Sequence, residues 1–497
     1  MTNGCGKSDS SVVPGKPPNN VGQPTAEVVE GRELAKGNSP EGNVFRTQRR
    51  GDASSALERV RRAARKDRKQ RFTALYHHVY DIDRLRAAYF ALKRDASAGV
   101  DGETWRHYGE ALEGNLVDLA ARLKRGAFRA SPVRRVHIPK PDGRSRPIGV
   151  PTLEDKLVQR AVVEVLNAIY EQDFLGFSYG FRPGRSQHHA LDALSVGLWR
   201  KKVNWVLDAD IRGFFDSVDH AWLVKFVEHR IADRRIVRLI QKWLAAGVLE
   251  DGTWTPSETG TVQGGSISPL LANLYLHYVF DLWIRKWRTT QTRADVTVVR
   301  YADDFIVGFQ RREDAERFLT ELRERLATFG LELHPDKTRL LAFGPMAWRN
   351  WRASRGAKPG TFDFLGFTHI SATSRTGGFA LKRKTMRKRW QAKLHAVRAE
   401  LRRRLHDPVP EQGVYLRSVI DGHCRYYGVP GNGPSLGAFR LGVIRTWFQM
   451  LRRRSQTHRM TWKRTMHFVD RWIPPTRFHH AWPNERDVMT RSKSRMR

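Results

Sequence analysis

The alternation of apolar and polar positions changes character along the chain, and the changes mark out its parts. Residues 1–43 hold 21 Gly, Pro, Ser or Asn with almost no periodic apolar pattern, so 1–53 is expected to be a flexible tail. A basic helix is expected from about Ser54 to Lys69, where Ala56, Val60, Ala63 and Ala64 are the apolar positions among many arginines. Globular texture begins near Phe72. Asp95–Gly102 reads as a loop between two helical patterns, and Val136–Gly143 as a strand running into a turn. Thr152 followed by Asp155 is a capping-box signature for a helix that carries Leu157, Ala161, Val165 and Ile169. Further on, the pattern predicts a strand over 203–211, helices around 220–246, a helix near 268–287 and a strand over 295–301. Over 311–329, Ala315, Phe318, Leu319, Leu322 and Leu326 share one helical stripe that ends at Gly330. No solenoid-type repeat is present.

Composition bounds the answer. At 497 residues the chain suggests about three folding units, taking ~150 residues for each. With 40% hydrophobic and 10% aromatic residues it can bury sizeable cores. The 88 Lys and Arg against 51 Asp and Glu leave a net charge of +37, which asks for a polyanionic partner. No run approaches ~18 consecutive apolar residues, so no bilayer-spanning helix is expected. The tail lacks the layout of a signal peptide, and Glu27, Glu30, Glu33 and Glu41 argue against an organellar transit peptide. Cys5 and Cys424 are too few for a disulfide framework or a four-thiolate zinc site, which fits a reducing, intracellular setting. The charge is unevenly spread. Leu381–Arg497 holds 28 Lys and Arg against 7 Asp and Glu, interleaved with Trp390, Trp447, Trp462, Trp472 and Trp482. This predicts a separate, mainly helical, strongly basic domain.

The candidate chemistry lies in carboxylates at strand ends. Val298–Gly308 sets Asp303 and Asp304 between two apolar, β-branched runs, the pattern of a hairpin with both acids at its turn. Val203–Ile211 is another apolar strand with Asp208 and Asp210 at its exit, followed by Asp216. Acids of this kind are costly to bury unless neutralised, and a divalent cation neutralises them. Two ions roughly 3.5–4 Å apart are what in-line phosphoryl displacement requires. Asp208 points to the same face as Asp210 in a strand, and a solvated acid is the expected reading for it.

On these residues the sequence resembles the reverse transcriptases. Tyr301–Asp304 is similar to their polymerase signature and Asp208–Asp216 to their first acidic motif. Gln263–Pro269, His334–Thr338 and Phe362–Phe367 match later blocks, in the family's order, so the likeness covers roughly residues 95–370. It implies an α+β right-hand polymerase: a basic helix and fingers over 54–190, a palm over 191–375, then a mainly helical thumb and maturase domain over 376–497. It also implies two Mg²⁺ ions, with Mn²⁺ as a substitute, held by Asp210, Asp303 and the main-chain carbonyl of Ile211. Asp304 completes the catalytic triad as a weaker ligand or behind the others. Phe215 matches the bulky residue that bars a ribose 2′-hydroxyl. Lys140 and Arg146 match basic positions that grip the triphosphate. Gln263 is expected at the nucleotide, Gly264 and Gly265 where backbones approach closely, and Lys337 near the leaving pyrophosphate.

Among reverse transcriptases, the resemblance is to proteins encoded by bacterial group II introns. Ala98–Gly102, Arg146–Gln159 and Phe181–Arg185 fit that group, and Tyr415–Tyr427 with the basic stretch Leu441–Arg453 resembles its thumb and maturase region. The expected partners are therefore intron RNA, an RNA template, a DNA primer or target and dNTPs, in a bacterial, nucleoid-associated cytoplasmic setting with no membrane. Arg383, Lys384, Arg387, Lys388 and Arg389 form the densest basic patch and are the RNA-binding candidates. Some of that region's aromatics, Trp447 and Phe448 among them, are expected in helix core instead. The cysteine pairs of a zinc-bearing endonuclease are missing, so the resemblance implies an endonuclease-lacking member that primes from nascent strands. His77–His78, His188–His189 and His479–His480 lack ligand spacing and read as structural or RNA-facing. Two alternatives compete: an RNA-binding splicing cofactor with a vestigial polymerase, and a domesticated reverse transcriptase with no intron partner.

Overall fold

A computed structural model describes residues 56–139, 145–250, 252–256, 259–261, 263–354, 356–454 and 460–483. The expected tail, Cys5 and Lys140 lie outside these residues. The basic helix expected after the tail runs over 56–66.

Three sheets organise the described residues. In the first, β1 (Val133–Pro139) and β2 (Ser145–Val150) form an antiparallel pair, extended by β4 (Val248–Glu250) and β5 (Thr253–Thr255) in the order β2-β1-β4-β5. The second contains β3 (Trp205–Asp210), β6 (Val296–Tyr301), β7 (Asp304–Phe309) and β8 (Arg339–Ala342), ordered β6-β7-β3-β8 with every neighbour antiparallel. The third is β9 (Thr361–Phe364), β10 (Phe367–Thr373) and β11 (Phe379–Thr385), ordered β11-β10-β9. The strand Phe379–Thr385 thus completes a sheet begun at Thr361. The helical region starts only at Arg387, with helices Arg387–Arg403, Val409–Tyr427, Gly433–Arg452 and Trp462–Trp472.

The central sheet is buried on both faces because its side chains alternate. Leu207, Ala209, Phe305, Val307 and Phe309 enter the largest core, while Val206, Val299 and Ile306 enter a second one with Leu191, Leu194 and Phe367. Near-continuous apolar strands follow from this two-sided burial. The long helix Leu153–Asp173 starts where expected, with Thr152 accepting from the Asp155 amide. Its acid does not close a reciprocal capping box. Asp155 is 1% exposed and instead accepts from Thr152 Oγ1, Ser131 N and Trp243 Nε1, tying three segments together. The helix expected near 268–287 is interrupted: Ser268–Leu276 and Leu282–Thr290 flank a π-helical turn, His277–Asp281. Buried Ala315, Phe318, Leu322 and Leu326 line the Arg312–Ala327 helix, with Leu319 partly buried and Gly330 at positive φ behind it.

The C-terminal helices have their own core. Trp447 is fully buried and donates to Gln412 Oε1 at 2.9 Å, and Gln412 in turn donates to Arg404 O. Phe448 is only partly buried, whereas Trp482 is 61% exposed. Among the described residues no helix is long and apolar enough to cross a membrane.

Candidate active site

The site forms where β3, β7 and the turn joining β6 to β7 meet. The β3–β7 register sets Asp210 directly opposite Asp304, and the β6–β7 register sets Tyr301 opposite Asp304. Residues directly opposite in an antiparallel pair share a face, so Asp210 and Asp304 project to the same side. Asp303 lies in the two-residue turn with Ala302. Ala302 has φ 58°, a left-handed conformation that costs a residue with a Cβ about 1–2 kcal/mol. Such outliers persist where surrounding structure over-determines them.

One of the expected bases, Lys337, meets the β3 acid directly. Lys337 Nζ forms an ion pair with Asp210 Oδ2, and the Asp210 carbonyl accepts from His334 N at 2.8 Å. Ile211 is buried and bridges to Leu333, which anchors the exit of β3. A separate relay of side chains joins three segments. Arg146 Nε donates to Gln263 Oε1 at 3.0 Å, and Gln263 Nε2 reaches both Asp216 carboxylate oxygens at 3.4 Å. The Gln263 carbonyl accepts from Gly149 N of β2 at 2.8 Å. A Cβ at Gly264, whose φ is 121°, would collide with Gly149 O and with Ile148 Cγ2 at 2.7 Å. Only glycine allows that approach. Phe215, half-buried against Phe214, has its carbonyl fixed by Thr261 N. Arg146 and Gln263 therefore stand together beside the helix that carries Phe215.

Two expectations are corrected. Asp208 is not a solvated acid: it is 8% exposed and accepts from Arg339 Nη2 at 2.9 Å. Burial raises its pKa to about 6, against the lowering effect of Arg339. Arg383 does not belong to the exposed basic patch. Its side chain is 3% exposed and pairs with Asp192 Oδ1 at 3.0 Å. In β11 it alternates with its neighbours, so Lys382 and Lys384 face outward while Arg383 and Thr385 face inward. Lys384, Arg387 and Lys388 are exposed and Arg389 is half-buried.

Sequence reasoning passed over Arg339, which opens β8 two residues after Lys337 and meets Asp208 of β3, a partner that no local pattern marks. It also passed over Asp216 as the partner of Gln263. The histidine pairs hold no ligand cluster. His188 stacks on His480 with ring centroids 3.7 Å apart, and no group of three or more His, Cys, Asp or Glu among the described residues could hold a metal by itself. The donors here are hard oxygens, and Mg²⁺ takes few protein carboxylates because substrate phosphates and water supply the rest. Asp210 already holds one cation, the Lys337 ammonium. The donor set therefore fits divalent ions completed by substrate.

The family model described as reverse transcriptase (RNA-dependent DNA polymerase) matches residues 138–369, which include β2, β3, the Ala302–Asp303 turn, β7 and Lys337. Protein YkfC of Escherichia coli K12 is 36% identical over 272 residues, 49% of this chain and 71% of that protein. The group II intron-encoded protein LtrA of Lactococcus lactis is 37% identical over 222 residues, 44% of this chain but only 37% of LtrA. The retron Mx162 reverse transcriptase of Myxococcus xanthus is more distant, 27% identical over 301 residues, 53% of this chain and 56% of that protein. With its carboxylates on the palm strands and its helical C-terminal region, the chain belongs to the group II intron reverse transcriptase/maturase family and is by that membership an RNA-directed DNA polymerase.

Proposed function

We propose that this protein copies RNA into DNA by adding dNTPs to a primer 3′-hydroxyl, and that it also binds a group II intron RNA, assists its splicing and supports its mobility at a DNA target. The observation that carries the polymerase reading is the strand register placing Asp210 beside Asp304, with Asp303 at the adjoining turn. Asp210, Asp303 and the Ile211 carbonyl would hold divalent ions, with Asp304 supporting them. When bound, such ions lower the cost of developing charge on the attacking and leaving oxygens. The chain's own residues do the rest. Arg146, fixed by Gln263, would offer a guanidinium to the triphosphate, and Lys337, paired with Asp210, would neutralise charge on the leaving group. Phe215 presents a ring that excludes a 2′-hydroxyl. Exposed Lys384, Arg387 and Lys388, at the junction of β11 and the first C-terminal helix, suit phosphates of structured RNA.

Primer extension on an RNA template, run beside a splicing assay, tests the proposal. Asp303→Ala is expected to abolish cDNA synthesis while leaving intron RNA binding and splicing largely intact. Full polymerisation by that variant would refute the site. A wild-type protein that splices but extends no primer would favour the splicing-cofactor reading.

A further inference from the structure

The strained Ala302 turn is held from behind by one buried cation. Arg300, two residues earlier on β6, is 0% exposed. A guanidinium has five N–H donors in a fixed plane, and every one of them finds an acceptor here. Nε donates to Asp281 Oδ1 at 2.8 Å and Nη2 to Asp281 Oδ2 at 2.6 Å. Nη2 also donates to Ser178 Oγ at 2.8 Å, and Nη1 to Asn273 Oδ1 at 3.0 Å. The fifth bond runs from Nη1 to the main-chain carbonyl of Ala302 at 2.9 Å.

That last bond ties the frame to the chemistry. The Ala302 carbonyl belongs to the peptide linking Ala302 to Asp303, so fixing it fixes the plane from which the Asp303 side chain departs. The frame itself is rigid. Asn273 Nδ2 donates to Gly180 O at 2.6 Å, the Arg300 amide and carbonyl bond to Phe177 O and Tyr179 N, and Asp281 closes the π-helical turn. Gly180 lies so close that a Cβ there would overlap the Ala302 amide nitrogen. Two segments distant in sequence, 177–180 and 273–281, thus press on one turn.

We propose that Arg300 is a positioning residue for polymerisation: through Asp281, Asn273 and Ser178 it holds the Ala302 carbonyl so that Asp303 stands beside the paired Asp210 and Asp304. This rests on reading Asp303 as a catalytic carboxylate. A buried Arg–Asp pair also stabilises a fold in the ordinary way, and the molecule provides its own control. Arg230, 1% exposed and 3.0 Å from Asp173, is another buried arginine, but its bonds go to Asp67 and Ala64 and to none of the catalytic segments.

The test uses the full-length protein on a primer annealed to an RNA template. Three quantities are read: kcat with KM for dNTP, the thermal midpoint, and Mn²⁺ affinity by electron paramagnetic resonance with primer–template bound. Arg300→Lys is expected to lower kcat by about 100-fold, as a misplacement of about 1 Å does. KM is expected to stay within about 3-fold and Mn²⁺ to bind about 10-fold more weakly. Arg230→Lys is expected to lower the thermal midpoint comparably while leaving kcat within about 3-fold. Ser178→Ala and Asn273→Ala each remove one acceptor and spare the ion pair, so they read the clamp even if Arg300→Lys fails to fold. Each is expected to lower kcat by about 3- to 10-fold and to weaken Mn²⁺ binding. The proposal is overturned if both acceptor variants keep wild-type kcat and Mn²⁺ affinity, or if Arg300→Lys and Arg230→Lys lose kcat in step with their stability. A wild-type protein that extends no primer would overturn the polymerase reading instead, and the Mn²⁺ affinities would still decide the clamp.

Discussion

Replacing Arg383 by methionine separates the fold from the proposed RNA-binding surface. The Arg383–Asp192 pair is 3.0 Å long with side chains 3% and 5% exposed, so it joins β11 to the Gln187–Arg200 helix out of reach of solvent. Removing only the cation leaves the Asp192 carboxylate buried beside an apolar chain, which costs ~3–5 kcal/mol. Replacing both partners by apolar groups of similar size removes the desolvation penalty together with the attraction, and Arg383→Met with Asp192→Leu should recover most of the loss. Urea denaturation of the two single variants and the double variant measures this coupling directly. In parallel, intron RNA affinity is measured across salt concentration. Arg383→Met should leave the log–log slope unchanged, whereas Lys384→Ala, one residue on and exposed, should reduce it by about 0.7–0.9 if it loses one phosphate contact. A flattened salt dependence for Arg383→Met, with stability within ~0.5 kcal/mol of wild type, would refute the buried pairing.

Other outcomes follow from the same interior. His369 is fully buried, stacked on Phe362 with centroids 4.7 Å apart, and burial with Arg383 nearby pushes its pKa from 6.5 down to about 3. The folded state therefore keeps this ring neutral while the unfolded chain takes up a proton. Its contribution is complete above pH 6.5 and is lost as pH falls toward 3, by at most ~1.4 kcal/mol per pH unit. His369→Leu should flatten the acid limb of a stability–pH curve, and an unchanged slope would mean the ring is not the proton acceptor. At the proposed nucleotide site, Gly264→Ala should drive the Gln263 loop away from β2 and raise KM for dNTP by about 10-fold, with little change in thermal midpoint. Steady-state kinetics with unaltered KM would show that the close approach to Gly149 is not needed.

The acids were legible because their chemistry confines them to strand ends. Apolar runs of β-branched residues ending in Asp210 or Asp303–Asp304 admit few structures other than strands with carboxylates at their exits. Helical stripes such as Ala315 to Leu326 were legible for the same reason of period. The misreadings concern charged residues within strands. Asp208 and Arg383 each sit on a short strand where alternation sends every second side chain inward, and each is buried because a partner distant in sequence awaits it. No local pattern announces Arg339 beside Asp208, or Asp192 beside Arg383. The boundary between palm and C-terminal helices was blurred likewise: basic composition begins at Leu381, but β11 is a sheet strand through Thr385. Charge reports on the partner of a surface, and it does not mark where a sheet ends.

The π-helical turn carries a consequence for chain length. Asn273 and Asp281 both bond Arg300, yet eight residues separate them. In an uninterrupted α-helix, at about 100° per residue, positions i and i+8 diverge by roughly 80° around the axis. The His277–Asp281 turn, with Leu282 N bonded to His277 O, absorbs one residue, so the pair behaves as i and i+7, about 20° apart. A chain with one residue fewer in this segment could close a regular helix and keep both acceptors on the guanidinium. A chain of the present length with a regular helix could not. Deleting one residue between Asn273 and Asp281 is therefore expected to be milder than any substitution that straightens the turn at constant length, and insertion there meets a geometric limit already spent.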